Sequence, residues 1–94
     1  MVTVLRIHPA DNVVMALSDL PAGTPLELAG SGAALGITTR EAIPFGHKVA
    51  LAPIRCGESV VKYGASIGLA TADIAPGQHV HVHNLRSVRG SVQR

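Results

Sequence analysis

The segment Ala70–Val80, with the sequence ATADIAPGQHV, belongs to a pattern that occurs three times in the chain. The two other copies are ALSDLPAGTPL at Ala16–Leu26 and ALAPIRCGESV at Ala50–Val60. In each copy a glycine stands three residues after an aliphatic residue, where a tight turn calls for a positive φ angle. These glycines are Gly23, Gly57 and Gly77. Because a short extended segment follows each glycine, every copy predicts a turn that leads into a β-strand.

The composition agrees with one all-β domain of short strands. The chain has 94 residues, and its ten glycines and six prolines are spread along its length. Hydrophobic residues make up 47%, with no tryptophan, one tyrosine and one phenylalanine, so we expect an aliphatic core. Pro44 and Gly46 interrupt the segment where a helical turn could begin. We predict a single all-β domain over residues 1–94, with a core at about 3–85 and a tail at 86–94.

Further strands are predicted between the three copies. The segment Thr3–Ile7 alternates between apolar and polar residues, Asn12–Leu17 is a near-continuous apolar run, and Lys48–Leu51 is short and apolar. The small-residue segment Gly30–Gly36 is expected to be a flexible loop. Such a loop contacts a ligand or another chain, or is simply mobile.

Several classes of protein are excluded. The single Cys56 excludes an intramolecular disulfide framework and a cysteine-based zinc site, and it fits the reducing cytoplasm, where we expect the protein. We expect no secretory signal and no membrane partner, because no run approaches the ~20 apolar residues that span a bilayer. The net charge of +2 is small, and no stacking aromatics accompany the C-terminal arginines. We therefore expect no nucleic-acid partner.

The most informative segment for chemistry is Gln78–Leu85, with the sequence QHVHVHNL. We interpret it as one extended strand, in which three histidines share one face while Val80 and Val82 anchor the other face in the core. The three histidines are His79, His81 and His83. Neutral imidazole binds Fe, Mn or Zn and also transfers protons near neutral pH. A structural or incidental role for this pattern is the alternative.

Strand geometry limits a metal site built from these histidines. Side chains two residues apart are separated by about 6.6 Å, and the outer two by about 13 Å. Two neighbouring histidines can therefore converge on one ion, but three on a straight strand cannot readily do so. A shared site would need a bend at Asn84 or ligands from elsewhere in the chain.

A second polar cluster, HPADN, follows the first predicted strand. Asp and Asn beside proline favour a turn whose side chains bond to the nearby backbone. The functional alternative is that His8, Asp11 or Asn12 faces a hydroxylated or anionic substrate.

Two more clusters combine a lysine with a glycine. In Gly46-His47-Lys48 the lysine is either exposed to solvent or pairs with a substrate carboxylate. The segment Lys62-Tyr63-Gly64 could do the same, with its glycine allowing close approach of the backbone. Tyr63 could instead be the largest residue of the core.

Three segments together resemble the N-terminal domain of the altronate and galactarate dehydratases. They are LRIHPADNVVMAL at 5–17, GHKVAL at 46–51 and KYGASIGLATADIAPGQHVHVHNL at 62–85. In this order they cover most of the chain, from about Arg6 to Leu85. The repeated turn pattern also resembles the broader SAF domain, which has a β-clip fold. The resemblance therefore implies an SAF-type β-clip with short strands and glycine-rich turns.

The resemblance also implies an activity. The family's enzymes are hydro-lyases that remove water from aldonic or aldaric acids to give 2-keto-3-deoxy acids, typically with Fe(II) or Mn(II). In most members this domain is fused to a larger one. The resemblance therefore implies a small subunit that needs a large catalytic subunit, as in sulfolactate sulfo-lyase, and is not active alone. An exposed strand edge would also suit a homo-oligomer.

The resemblance assigns roles to residues in three groups. The expected catalytic residues are His81, His83 and Lys48. The expected metal ligands are His79, His81 and His83. The expected substrate-binding residues are His8, Asp11, Asn12, His47, Lys62, Tyr63, Gly64 and Asn84.

Other functions stay open at this point. The substrate could be sulfolactate rather than a sugar acid such as altronate or galactarate. The chain could also be a non-catalytic SAF module that binds a carbohydrate or protein, or a stand-alone metal-binding domain. Fold analogy alone does not decide among them.

Overall fold

The computed structural model describes residues 2–87, which form nine short strands. The strands are β1 (Val4–Leu5), β2 (Val13–Ala16), β3 (Pro25–Glu27), β4 (Ala34–Thr38), β5 (Lys48–Ala50), β6 (Ser59–Lys62), β7 (Ala65–Ala70), β8 (His79–Val80) and β9 (Leu85–Arg86). This part of the chain contains no helix, which confirms the all-β prediction. It accordingly contains no helix long and apolar enough to cross a membrane.

The strands form three antiparallel sheets. The largest has the order β1-β2-β5-β8, a second has the order β6-β7-β9, and β3 and β4 form a two-stranded hairpin. Every strand has two to six residues, which agrees with the dense spacing of glycine and proline. The predicted strands at Thr3–Ile7, Asn12–Leu17 and Lys48–Leu51 correspond to β1, β2 and β5.

The core consists of two aliphatic clusters. One cluster contains Val14 and Val49, and the other contains Val13 and Ala50. Within β2 and within β5, neighbouring residues thus belong to different clusters, because successive side chains of a strand point to opposite faces. This burial on both faces explains why Asn12–Leu17 is a near-continuous apolar run rather than an alternating one.

Within residues 2–87, the glycine turn of this kind occurs four times, rather than the three predicted from the repeated pattern. Gly23, Gly57 and Gly77 have φ angles of 85°, 90° and 89°, as the pattern predicted. Gly46, with a φ of 80°, forms the fourth turn and stands three residues after Ile43. The pattern hid this copy because Thr39 and Ala42 stand where the other copies have Ala and Asp or Pro.

The aliphatic residues that precede these turns pair with one another. Leu20 forms an antiparallel bridge with Ile43, and Ile54 forms one with Ile74. In each pair an aspartate crosses to the opposite turn: the Asp19 carboxylate accepts the backbone N–H of Phe45 at 2.8 Å. The equivalent Asp73 carboxylate accepts the N–H of Cys56 at 2.9 Å. The described chain therefore has two similarly built halves that share the central sheet.

Two predictions about strands were wrong. Strand β4 begins inside the segment expected to be a flexible loop, because Leu35 and Ile37 pack against the first core cluster. The strand predicted over Gln78–Leu85 ends at Val80, and a turn follows. Val80 is fully buried as expected, but Val82 lies in the turn with 81% of its surface exposed. Of the predicted tail, Arg86 belongs to β9, and residues 88–94 lie outside the described residues.

The turn glycines provide a matched test of the packing. A Cβ atom at Gly77 would lie 2.1 Å from the Thr38 carbonyl oxygen, whereas one at Gly23 would meet nothing within 4 Å. Both glycines have nearly the same positive φ, so alanine carries a similar backbone strain of about 1–2 kcal/mol at either position. We expect Gly77→Ala to lower the free energy of unfolding in urea by clearly more than Gly23→Ala. Equal losses would contradict the close approach at Gly77.

Candidate functional site

Three histidines meet where β5 and β8 pair. In this antiparallel pair Lys48 lies opposite Val80 and Val49 lies opposite His79. Continuing the register by one residue places His47 beside His81, and their rings stack with centroids 4.3 Å apart. His79 is the diagonal neighbour of His47, and its Nε2 atom lies 2.8 Å from the Nδ1 atom of His47. The register of two strands therefore brings together histidines that are 32 residues apart in sequence.

A turn closed by Asn84 brings His81 back toward its neighbours. The Asn84 Oδ1 atom accepts the backbone N–H of His81 at 2.9 Å. The Asn84 Nδ2 atom donates to the carbonyl oxygen of His79 at 2.9 Å. Asn84 is buried, and its amide uses both ends within the turn, so its observed contacts are structural. A shared histidine site was expected to need a bend at Asn84 or ligands from elsewhere in the chain; this turn supplies the bend, and His47 comes from elsewhere.

The three histidines form a group that could hold a metal ion. Each of His47, His79 and His81 offers one ring nitrogen, and the three ligand atoms lie within 4.8 Å of one another. His83 is outside this group: it is exposed, and its ring is tilted by 39° to that of His79 at a centroid distance of 5.2 Å. Among residues 2–87, the candidate ligand set thus contains His47 in place of the predicted His83. His83 is excluded from the set because the chain turns after Val80 and does not continue as the expected straight strand.

Electrostatics favour the neutral form of two of these imidazoles. Burial lowers the pKa of His79, and the neighbouring His47 and His83 lower it further, while Glu41 opposes the change. Burial, His47 and Lys48 lower the pKa of His81. Neutral imidazole is the form that binds a metal or accepts a proton.

Glu41 is a site residue that sequence reasoning missed. One of its carboxylate oxygens accepts the backbone N–H of His79 at 3.1 Å, so it fixes the start of β8. No spacing rule relates Glu41 to the histidines, because the contact depends on the paired turns. The feature of the sequence that comes closest to linking Glu41 with the histidines is its position six residues before His47.

Two lysines place positive charge near the histidine group. Lys48 is half-buried, and burial together with the like charge of Lys62 lowers its pKa. Lys48 is close enough to His81 that its charge helps to lower the pKa of that imidazole. The Nζ atom of Lys62 lies 5.0 Å from the centre of the Tyr63 ring, and Tyr63 is 62% exposed rather than a core residue. The result is a cationic surface beside the three imidazoles.

Asp11 connects the first polar cluster to the hairpin of β6 and β7. It is 2% exposed, and its carboxylate accepts the N–H groups of His8 at 3.0 Å and Gly64 at 2.8 Å. Burial alone would raise the pKa of Asp11, but bonds from the backbone of Gly64, His8 and Tyr63 lower it overall. Asn12 adds to the link, since its side chain accepts the N–H of Val61 at 2.8 Å. The bond from His8 to Asp11 is the local contact that the turn interpretation predicted, whereas the bonds from Gly64 and Val61 join distant segments.

The hairpin that Asp11 holds contains an unusual backbone conformation. Tyr63 has a φ of 58° and Gly64 a φ of 73°. A non-glycine residue at positive φ costs of the order of 1–3 kcal/mol, so neighbouring contacts must hold it there. A Cβ atom at Gly64 would come within 2.9 Å of the His8 ring, so this glycine permits the close approach of His8.

Comparison with known proteins agrees with the fold. Residues 2–88 match the family model of the altronate/galactarate dehydratase SAF domain. The chain is 46% identical over 83 residues to the altronate dehydratase of Escherichia coli K12, covering 88% of this chain and 16% of that protein. It is 40% identical over 93 residues to the altronate dehydratase of Bacillus subtilis 168, covering 99% of this chain and 18% of that protein. It is also 34% identical over 87 residues to the (2R)-sulfolactate sulfo-lyase subunit alpha of Chromohalobacter salexigens, covering 88% of this chain and 93% of that subunit.

Because of Asp11, the free energy of unfolding of the domain should depend on pH in the acid range. Its folded-state pKa lies below the ordinary 3.8, so its carboxylate stabilises the fold above that pH, and this contribution is lost as the pH falls through the lowered pKa. We expect Asp11→Asn to lower the free energy of unfolding by about 1–3 kcal/mol at pH 7. The difference from the unsubstituted chain should shrink below pH 4.

The matched control is Asp73→Asn, which removes the charge from an exposed carboxylate that accepts one backbone N–H. Urea unfolding at pH 7 and pH 3 measures both variants. A difference between Asp11→Asn and the unsubstituted chain that stays constant with pH would contradict the account.

Proposed function

This chain belongs to the altronate/galactarate dehydratase SAF-domain family, and we propose that it is the SAF part of a lyase that removes water from a sugar acid. The chain spans only 16% and 18% of the two altronate dehydratases that it matches. We infer that a larger polypeptide, fused or separate, completes the active site. On this proposal the chain contributes binding and catalytic side chains but is not active alone.

The proposed reaction is an elimination next to a carboxylate. The acid loses the proton at its α carbon and the hydroxyl group at its β carbon, and together these leave as water. The resulting enol converts to the 2-keto-3-deoxy acid. Such a reaction needs a group that holds the carboxylate, a base for the α proton and an acid for the departing hydroxyl.

The observation that carries the proposal is the lysine beside a group of three imidazoles. The Lys48 ammonium group offers a partner to the carboxylate that every substrate of this class contains, and Lys62 adds a second positive charge. His81 has a lowered pKa and lies at the same place. His83 is exposed and outside the group of three, which suits it to proton transfer. We therefore retain Lys48, His81 and His83 as the proposed catalytic residues.

The expected Fe(II) or Mn(II) ion is part of the proposal. Within the described residues, the side chains that would hold it are His47, His79 and His81. A bound ion would supply Lewis acidity toward the carboxylate and hydroxyl oxygens of the substrate. The chain's own contribution is to orient these imidazoles through the strand register and to attract the substrate's carboxylate with Lys48.

A second candidate function is that of subunit alpha in a (2R)-sulfolactate sulfo-lyase. It is favoured by the extent of the match, because 93% of the Chromohalobacter salexigens subunit aligns with this chain. The chemistry would again remove a proton α to a carboxylate, with sulfite rather than water as the leaving group. If the chain together with a partner shows no lyase activity, we interpret it as a non-catalytic SAF binding module.

The proposed function predicts a larger partner with lyase activity. We expect the tagged chain, purified from its native host, to retain a polypeptide several times its own mass, identified by mass spectrometry. Assayed with Fe(II) or Mn(II), the pair should form a 2-keto acid from altronate or galactarate. Release of sulfite from (2R)-sulfolactate instead would support the second candidate. If the chain purifies alone and is inactive, the lyase proposal fails and the binding-module reading replaces it.

Two substitutions test the residues within such a pair. We expect His81→Ala to lower kcat by more than about a hundredfold, as loss of a catalytic side chain does, while the thermal melt stays unchanged. Lys48→Met should mainly raise KM, because the lysine is proposed to hold the carboxylate in the ground state as well as in the transition state. The matched control is Arg55→Met, which removes an exposed cation that is not part of the histidine group. Unchanged kinetics for His81→Ala and Lys48→Met would contradict the assigned roles.

A further inference from the structure

We propose that this chain, without any partner, forms a metal centre in which His47, His79 and His81 bind one late first-row divalent ion through three imidazole nitrogens. The geometry points to a ligand set that spans two strands. The proposal rests on the metal site of the proposed function and deepens it, but binding by the chain alone requires neither a partner nor a substrate and can be tested separately.

The spacing of the three nitrogens suits a single ion. Zinc–imidazole bonds of about 2.0–2.1 Å in a tetrahedral site place ligand nitrogens about 3.3 Å apart. The Nδ1 atom of His47 and the Nε2 atom of His79 are 2.8 Å apart, and all three ligand atoms lie within 4.8 Å of one another. The three rings are stacked at 9–24° to one another, so each side chain must also rotate to direct its in-plane lone pair at a common ion.

The backbone holds each of the three residues in place. His79 lies in β8, where its N–H bonds to Glu41. The N–H of His81 bonds to the side chain of Asn84, and the carbonyl oxygen of His47 accepts the N–H of Ala16 at 2.9 Å. Metal sites bind strongly when the scaffold positions the ligands before the ion arrives. The site should therefore load without a change of fold.

The donor set selects among metals. Three imidazole nitrogen donors suit Fe(II), Co(II), Ni(II), Cu(II) and Zn(II), whereas Mn(II) prefers oxygen-rich sites and stands at the weak end of the affinity order. We infer that the isolated chain binds Zn(II) and Co(II) much more tightly than Mn(II).

Three protein ligands leave room for a further ligand. A four-coordinate ion held by three histidines keeps one position open, as catalytic rather than structural zinc sites do. Lys48 lies near His81, so an anionic oxygen is the fourth ligand that the local charge favours. The carboxylate group of a small organic acid could supply such an anionic oxygen as the fourth ligand.

The test is a metal titration of the full 94-residue chain, prepared without a polyhistidine tag. Co(II) binding is followed by its visible absorption, and Zn(II) and Mn(II) affinities are measured by competition with a chromophoric chelator. We expect one ion per chain and at least about a hundredfold tighter binding of Zn(II) than of Mn(II). Absence of stoichiometric Co(II) or Zn(II) binding would overturn the proposal.

Variants identify the ligands. Separate His47→Ala, His79→Ala and His81→Ala substitutions should each weaken Zn(II) binding by more than about a hundredfold, beyond the usual effect of losing an outer-shell partner. His8→Ala and His83→Ala should leave the affinity within about twofold. Loss of binding in His83→Ala but not in His47→Ala would overturn the proposed set in favour of three histidines from one segment.

A folding control keeps these results interpretable. The melting temperature of each variant is measured with a chelator present, so that lost metal binding is separated from lost structure. A variant that melts early is replaced by the corresponding asparagine substitution. These outcomes are independent of lyase activity: the chain can bind zinc and fail to support turnover, or the reverse.

Discussion

The antiparallel register of β5 and β8 is the constraint on which the candidate site depends. Val49 and Val80 are both fully buried, yet they belong to different core clusters on opposite faces of the central sheet. A slip of one residue would turn a strand's buried side chains to the wrong face. Each buried valine contributes about 1.5–3 kcal/mol, so packing of the core holds the register. The same register sets His47 beside His81, and the core thereby determines the geometry of the histidine group.

Two buried polar side chains shape the surface around this sheet. Asn84 ends β8 and folds the following residues into a turn, which brings His81 within reach of His47. The Asp11 carboxylate accepts the backbone N–H of His8 in the first turn and that of Gly64 in the hairpin of β6 and β7. It thereby holds Tyr63 at positive φ and keeps the side chain of that residue exposed beside Lys62. Both contacts are satisfied hydrogen bonds in the interior, where unsatisfied groups would be costly.

Local features could be predicted from the sequence, and contacts between distant segments could not. The positive φ angles of Gly23, Gly57 and Gly77 follow from local turn chemistry, and the pattern identified them. The bend after Val80 could not be predicted, because a short alternating segment looks the same whether it continues as a strand or is closed by Asn84. His47 was predicted to bind substrate, since nothing in the sequence shows which strand pairs with β8. The family resemblance was confirmed, whereas the roles of individual residues stay predictions.

The most direct test of the account is anomalous diffraction from crystals of the chain grown with Zn(II), recorded on both sides of the zinc absorption edge. We expect one strong anomalous peak about 2.0–2.1 Å from a ring nitrogen of each of His47, His79 and His81. We also expect His83 to lie outside the coordination sphere. A peak coordinated by His79, His81 and His83, or no ordered zinc at this place, would contradict the account.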